Sequence, residues 1–147
     1  MKLYLDACCL NRLTDDQTQS RIQQEAEAVE LIFKRMRNGF VRWISSEVLV
    51  EEIGRNPETE RRMENAALLA MASETVVVND SIAGRARELR AAGYGPFDAL
   101  HLACAEAARA DVLLTTDDGF IKKVARGVGS PLVAVRNPLS WSQEELS

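Results

Sequence analysis

The sequence predicts an α/β fold with a mainly parallel sheet, and three observations lead to this prediction. Short apolar or β-branched runs recur along the chain, segments with helical periodicity separate them, and turn-forming residues lie at several junctions. Strands that alternate with helices usually form a parallel sheet covered by helices on both faces. With 147 residues and 46% hydrophobic side chains, the chain suits a single domain over 1–147.

Five runs have the composition of strands. They are rich in apolar, aromatic or β-branched residues, and they cover 2–5, 40–45, 75–78, 111–116 and 131–135. The clearest helix covers 21–38, where apolar residues recur every three or four positions before Gly39 ends the pattern. The chain therefore begins as strand, helix, strand.

The remaining helices are predicted from caps and breaks. One begins after Ser45 or Ser46 and ends at Asn56-Pro57, and the others are expected over 58–72, from 80 or 81 to about 93, over 97–108, and at the start of 117–126. The helix over 97–108 is nearly all apolar, so it is predicted to be central and buried. A polar tail follows from Asn137, and Trp141 could either dock it or leave it frayed.

Composition excludes some classes of function. The net charge is −4 and the pI is about 5.1, so any contact with nucleic acid must be local rather than driven by overall positive charge. Cys8, Cys9 and Cys104 lack metal-site spacing and are predicted to be reduced core thiols. No run resembles a secretion signal or a membrane span, so a soluble, cytoplasmic protein is expected.

Four carboxylates lie at the ends of apolar runs, and they are the main clue to function. Asp6 follows a predicted strand, Glu47 lies at a strand-to-helix turn, Asp98 opens the apolar helix, and Asp117 closes another strand. A parallel sheet gathers such positions beside its carboxyl edge. Acids brought together there repel one another unless a cation joins them, and Mg²⁺ or Mn²⁺ suits oxygen ligands and phosphate chemistry.

Four segments also carry a family resemblance. YLDACCLN at 4–11, ISSEVLVEEI at 44–53, FDALHLACA at 97–105 and LLTTDDGF at 113–120 resemble the successive motifs of the PIN-domain family. The segments occur in the family's order, with an acid at each expected point. The resemblance covers almost the whole chain.

The resemblance implies a three-layer α/β/α sandwich with strand order 3-2-1-4-5 and a metal-dependent ribonuclease. It implies that Asp6, Glu47, Asp98 and Asp117 are both the catalytic residues and the metal site. We expect the three aspartates to bind Mg²⁺ or Mn²⁺, and Glu47 to bind the metal or hold a metal-bound water. Many relatives are toxins of toxin-antitoxin pairs, so an RNA substrate, an antitoxin partner and a homodimer are expected.

The chain departs from the family pattern directly after Asp6. A Thr or Ser is common at that point, whereas this chain has Ala7, so Asn11 or Thr115 would have to supply a nearby polar group. Asp117 and Asp118 compete for one role, and the spacing from Thr115 favours Asp117.

Each acid also has a simpler interpretation. Asp6 could cap the residues after it, Asp98 could serve only the helix dipole, and Glu51, one helical turn after Glu47, could be a surface acid. His101, the sole histidine, follows Asp98 by one helical turn. It is predicted to be a buried, hydrogen-bonded histidine rather than a catalytic one.

Two further groups of residues leave alternatives open. Arg12, Lys122, Lys123 and Arg126 follow strand tips and could contact RNA phosphates, or they could be ordinary surface charge. Cys8 stands where a phosphatase of the haloacid dehalogenase type would want a second aspartate, and a receiver domain would place its acids near the first strand. The stronger rival is a non-catalytic PIN-like module that binds RNA or a protein.

Overall fold

A computed structural model describes residues 1–146 of the chain. In this part of the chain five strands form one sheet in the order β3-β2-β1-β4-β5, and every neighbouring pair is parallel. The strands are β1 (Lys2–Leu5), β2 (Arg42–Ser46), β3 (Glu74–Val76), β4 (Val112–Leu114) and β5 (Ala134–Arg136). The predicted fold class and strand order are confirmed.

Helices connect these strands and cover the sheet. They are α1 (Ala7–Asn11), α2 (Ser20–Arg37), α3 (Glu47–Gly54), α4 (Thr59–Leu69), α5 (Asp80–Ala92), α6 (Pro96–Ala107), α7 (Asp118–Ala125) and α8 (Pro138–Glu145). Leu3, Tyr4 and Leu5 of β1 are all fully buried. Since successive strand side chains point to opposite faces, burial of all three shows that both faces of the central strand are covered.

The C-terminal segment is a helix rather than an unstructured tail. Asn137 caps α8 by accepting a hydrogen bond from the Leu139 N–H at 2.8 Å, and Pro138 occupies the first turn, where its missing N–H costs nothing. Trp141 is buried, and α8 packs against α2. The polar composition hid this helix because its stability comes from one docked aromatic and a cap.

The central helix α6 is as buried as its composition predicts. Ala99, Leu102, Cys104 and Ala105 are inaccessible to solvent, and α6 packs against α5 and α3. Asp98 lies in its first turn, directly after Gly95 and Pro96 begin the helix. The start of α6 is thereby placed beside the carboxyl edge of the sheet.

The register between β1 and β4 positions the site. Leu5 pairs with Leu114, and the Asp6 N–H donates to the Leu114 carbonyl at 2.9 Å. The residues that follow the two strands, Asp6 and Thr115, therefore lie side by side. No helix within residues 1–146 is both long enough and apolar enough to cross a membrane, and the three cysteines have free thiols.

Candidate metal centre

An acidic cleft of about 320 Å³ opens at the carboxyl edge of the sheet. Its lining consists of four carboxylates, two amides and three smaller or apolar side chains: Asp6, Glu52, Asp98, Asp117, Asn11, Asn56, Ala7, Cys8 and Ile53. Among these described lining residues there is no lysine or arginine. Three of the four predicted acids, Asp6, Asp98 and Asp117, are therefore brought together.

Asp6 is held at both carboxylate oxygens. Its Oδ1 accepts the Ala7 N–H at 2.7 Å, which caps α1, and its Oδ2 accepts the Thr115 hydroxyl at 2.9 Å. Asp6 is buried except for 7% of its surface. The capping role considered for Asp6 is thus real, and it coexists with a place in the acidic cleft.

Asp98 shows the electrostatic strain of the cleft. Desolvation raises the pKa of Asp98 from 3.8 to about 6, and the negative charges of Asp6 and Asp117 add to the effect, while His101 opposes it. A carboxylate that merely served a helix dipole would be stabilised in its charged form. At Asp98, burial and the negative charges of Asp6 and Asp117 outweigh such stabilisation, so its pKa is raised.

Asp117 and Asp118 have different environments. Asp117 lines the acidic cleft and caps α7 by accepting the Phe120 N–H at 3.2 Å. Asp118 is exposed and accepts two hydrogen bonds from the Arg21 guanidinium, each at 3.0 Å. The hydrogen bond and charge of Arg21 lower the pKa of Asp118. The geometry favours Asp117 as the cleft residue, as the spacing suggested.

Glu47 does not join the acidic cleft. It lies at the predicted strand-to-helix turn, but it is exposed, and its carboxylate accepts a hydrogen bond from the Val78 N–H. Each residue turns an α-helix by about 100°, so a side chain at the start of α3 and one five residues later point about 140° apart. Glu47 therefore lies outside the cleft that Asp6, Asp98 and Asp117 line.

Glu52 supplies the fourth carboxylate instead. It shares a helix face with the buried residues Val48, Leu49 and Ile53, whereas Glu51 is exposed and pairs with Arg55 at 2.7 Å. The surface interpretation of Glu51 is thus confirmed. The signal in the sequence was a glutamate on the apolar face of the helix, three and four residues after Leu49 and Val48.

His101 lies behind the acidic cleft, fully buried. Its Nε2 is 3.0 Å from Glu52 Oε1 and 3.6 Å from Asp6 Oδ1, and its Nδ1 is 2.6 Å from the Tyr4 hydroxyl. Burial alone would lower the pKa of His101, but the hydrogen bond with Glu52 and the charge of Asp6 raise it overall. The prediction of a buried, hydrogen-bonded histidine is confirmed.

Two of the four basic residues near the strand tips, Arg12 and Lys123, have partners within the protein. Arg12 is paired with Asp15 at 2.8 Å and with the buried Glu25 at 2.9 Å. Lys123 donates to the Gly93 carbonyl at 2.8 Å. Arg12 therefore has a structural role, and the idea that it contacts RNA phosphates gains no support from its geometry.

The donor set of the acidic cleft fits a hard divalent cation. Four carboxylates line one small volume, and carboxylate oxygens are among the ligands that Mg²⁺ and Mn²⁺ prefer. Single atoms of Asp6, Glu52 and His101 also lie within 4.8 Å of one another.

Two solved structures share the fold of this chain. VapBC2 from Rickettsia felis, bound to a DNA fragment from its promoter, matches with a TM-score of 0.61 at 15% identity, over 93% of this chain and 98% of that one. FitAcB from Neisseria gonorrhoeae matches with a TM-score of 0.60 at 15% identity, over 92% of this chain and 97% of that one. At this identity the likeness concerns the fold.

The sequence comparisons give a family but no close relative. No curated protein matches the sequence significantly. The family model for the PIN domain matches residues 3–127, which include all four segments that carried the resemblance and every residue of the acidic cleft. The chain belongs to the PIN domain family.

Proposed function

We propose that this chain, acting as a single domain over 1–147, is a nuclease that uses Mg²⁺ or Mn²⁺ to hydrolyse RNA phosphodiester bonds. One observation carries the proposal. Four carboxylates from four different elements converge on one cleft whose described lining has no cationic side chain. Such a cluster is electrostatically unfavourable by itself and becomes favourable when it holds a divalent cation between protein and phosphate oxygens.

Asp6, Asp98 and Asp117 are the proposed ligands, and Glu52 takes the role that the sequence had suggested for Glu47. When bound, the metal would supply Lewis-acid chemistry, lowering the pKa of a water and offsetting negative charge on the phosphate. Glu52, at the inner side of the cleft, is placed to bind the metal or to orient a water.

Asn11 offers a different group to the substrate. Its Oδ1 accepts a hydrogen bond from Asn65 Nδ2 at 2.9 Å, so its own amide hydrogens remain for the acidic cleft that it lines. An amide donor at this position can hold a phosphate oxygen without adding charge. Since Ala7 provides no hydroxyl, Asn11 and Thr115 are the polar neighbours that support the site.

The proposal is tested by cleavage of labelled single-stranded RNA and DNA, with Mg²⁺, Mn²⁺ or EDTA. RNA cleavage that needs the metal and disappears in Asp98→Asn, with Asp118→Asn as the matched control, is the expected result. Cleavage that persists in EDTA or in Asp98→Asn would contradict the assigned site. Cleavage of DNA alone would refute the proposed substrate class.

The rival function is a non-catalytic module that binds RNA or a protein, and Ala7 is the observation that favours it. The same assay separates the two functions. Metal and RNA binding without cleavage, over RNAs of varied sequence and structure, would identify the module. A cytoplasmic location is part of the nuclease proposal, because that is where RNA and reduced thiols coexist.

We also propose an antitoxin-like protein partner, as the resemblance implies, and we assign its contact to an apolar recess of about 460 Å³ between α2 and α4. Its lining also includes four polar or charged residues, Glu30, Lys34, Arg37 and Ser73. The apolar lining residues are Leu13, Phe33, Met36, Trp43, Leu68 and Met71. An amphipathic segment whose apolar side chains enter the recess and whose charged side chains pair with Glu30, Lys34 and Arg37 would complement this surface.

Partnership and self-association have separate tests. Co-expression with the product of the adjacent gene, followed by purification of the complex, tests the partner. Light scattering of the chain alone tests the proposed homodimer, and a monomer at micromolar concentrations would refute it.

A further inference from the structure

A buried chain of hydrogen bonds ends at the carboxylate of Glu52. Ser46, Tyr4 and His101 are all fully buried. The Tyr4 hydroxyl lies 2.7 Å from Ser46 Oγ and 2.6 Å from His101 Nδ1, and His101 Nε2 lies 3.0 Å from Glu52 Oε1. This series of hydrogen bonds connects the N-terminus of α3, through β1 and α6, to a residue near the end of α3.

The Glu52 end of this series of hydrogen bonds determines the direction in which the hydrogens point. At the other end, Ser46 Oγ accepts the Leu49 N–H at 3.1 Å, and its own hydrogen can point at Tyr4 or at the thiol of Cys104, with which Ser46 also forms a hydrogen bond. An ionised Glu52 can only accept, so Nε2 of His101 must carry the hydrogen between them. With a neutral ring, Nδ1 then accepts from the Tyr4 hydroxyl. The Tyr4 hydroxyl then donates to His101, and His101 donates to the Glu52 carboxylate, where the series of hydrogen bonds ends.

The position of the His101 ring is constrained, as is the place of its hydrogen. The Tyr4 ring lies 5.6 Å from the His101 ring at a tilt of 59°, and the Phe97 ring stacks on the imidazole with 6.2 Å between centroids. Rotation of the imidazole would lose the hydrogen bonds at both nitrogens. His101 therefore presents one N–H to the acidic cleft from a rigid support.

We propose that Tyr4 and His101 are positioning residues, which hold the Glu52 carboxylate at the acidic cleft through the His101 Nε2–H. This inference rests on the proposed nuclease function and extends it. Glu52 needs such a support more than the aspartates do. Asp6 and Asp117 are fixed by helix caps, whereas Glu52 extends from the side of α3 on a longer chain towards three like charges.

A different role for His101 would be direct binding of the metal, since its Nε2 is close to both Asp6 and Glu52. The two roles are incompatible. A nitrogen that carries a hydrogen has no lone pair for a metal, so the direction of the hydrogen bond decides between them.

Nitrogen NMR shows which ring nitrogen of His101 carries the hydrogen. His101 is the only histidine of the sequence, so a protein made with a histidine-free purification tag gives an unambiguous long-range proton–nitrogen spectrum. At a pH where the ring is neutral, we expect Nε2 to carry the hydrogen and Nδ1 to accept one. In Tyr4→Phe the Nδ1 signal should move as expected for loss of an accepted hydrogen bond.

The affinity for Mn²⁺ measures how much the positioning of Glu52 contributes to metal binding. We expect Tyr4→Phe to weaken Mn²⁺ binding about tenfold, since partners that orient ligating carboxylates typically contribute 10- to 100-fold to affinity. Tyr94→Phe is the matched control, because Tyr94 is also buried and its hydroxyl donates to the Val128 carbonyl away from the acidic cleft. Titration followed by electron paramagnetic resonance of free Mn²⁺ gives both values.

A second pair of variants separates positioning from packing. His101→Leu removes the donor, whereas His101→Gln retains an N–H near the place of Nε2. Recovery of Mn²⁺ affinity in His101→Gln relative to His101→Leu supports the proposal. Equal losses in both variants contradict it.

Three results would overturn the proposal. They are a hydrogen on Nδ1 with a bare Nε2, loss of the Nε2 hydrogen when Mg²⁺ is added, and an unchanged Mn²⁺ affinity in Tyr4→Phe. A wild-type protein that binds no Mn²⁺ would instead refute the proposed function. In that case the spectrum of the metal-free protein still decides whether His101 donates to Glu52.

Discussion

Thr115 connects two proposed metal ligands through one hydroxyl group. Its Oγ1 donates to Asp6 Oδ2 at 2.9 Å and accepts the Asp117 N–H at 3.2 Å. The side chain is fully buried beside the last residue of β4. Thr115 therefore supplies, from the neighbouring strand, the hydroxyl that Ala7 does not provide.

Replacing Thr115 by Val should weaken Mn²⁺ binding by about one order of magnitude, because the shape is kept while both hydrogen bonds are lost. Thr115→Ser, which retains the hydroxyl, should restore most of the affinity. Thr116→Val, at the next buried threonine, is the matched control. Calorimetry gives the affinities, and equal binding by the Val and Ser variants would show that the hydroxyl is unimportant.

Because Glu52 lines the acidic cleft and Glu47 does not, the same substitution at these two glutamates should give different results. Glu52→Gln keeps an acceptor for His101 but removes the charge, and it should reduce Mn²⁺ affinity about 10- to 100-fold and abolish RNA cleavage. Glu47→Gln should change neither. A greater loss of cleavage in Glu47→Gln than in Glu52→Gln would restore the assignment made from the sequence.

The raised pKa of Asp98 predicts that this residue makes the metal-free protein less stable as the pH rises. Its folded pKa of about 6 lies above the ordinary value of 3.8, so between these values the folded state binds more protons than the unfolded state. The contribution of Asp98 to the free energy of unfolding must then fall as pH rises from about 4 to about 6. Acids with lowered pKa values contribute in the opposite direction.

Urea unfolding in the presence of a chelator tests this dependence between pH 4 and pH 7. Asp98→Asn should remove the unfavourable slope and should make the metal-free protein more stable than wild type at pH 7. Asp80→Asn, an exposed change of the same type outside the acidic cleft, controls for net charge. Parallel curves for wild type and Asp98→Asn would contradict the environment described for this residue.

The partner surface is tested by a charge placed in the apolar recess. Met71 lines the recess and is 60% exposed, so Met71→Glu should fold normally and prevent formation of the complex with the proposed partner. Met63 is 66% exposed on α4 and does not line the recess, which makes Met63→Glu the control. Co-purification in Met71→Glu but not in Met63→Glu would place the partner elsewhere.

Arg12 is predicted to matter for stability rather than for RNA. It contacts Glu25, whose carboxylate is 1% exposed and also pairs with Arg21 at 3.3 Å. Arg12→Met should lower the free energy of unfolding by about 3 kcal/mol, since it leaves a buried charge only partly compensated. Arg126→Met is the exposed control. A loss of RNA affinity at unchanged stability would support the original phosphate-binding alternative for Arg12.

All five strands and six of the eight helices in residues 1–146 could be predicted because each depends on local chemistry, whereas α1 and α8 were not predicted. The periodicity before Gly39, the apolar run after Pro96 and the strand of residues 2–5 each indicate one kind of structure without reference to the rest of the chain. Segments that are held in place mainly by one tertiary contact were harder to predict from the sequence. The helix that contains Trp141 is polar along most of its length, and its docking against α2 is invisible in the sequence.

The residues of the site also fall into those that the sequence locates and those that only the tertiary structure locates. Asp6, Asp98 and Asp117 could be located from the sequence because each lies at an element terminus, and termini at the carboxyl edge of a parallel sheet must converge. Glu52 lies inside a helix, where its direction depends on which face of that helix the sheet and α6 cover. Glu47 and Glu52 lie on the same helix, five residues apart, yet only Glu52 lines the acidic cleft.

By itself the sequence determined the fold class, the strand order implied by the family resemblance, and three aspartates at the carboxyl edge of the sheet. Only the tertiary structure decided that Glu52 replaces Glu47, that Thr115 supports Asp6, and that Tyr4 and His101 lie behind the acidic cleft. The physical reason is distance along the chain. Thr115 and Asp6 are 109 residues apart, and Tyr4 and His101 are 97 apart, so their contacts exist only after strand pairing and helix packing bring them together.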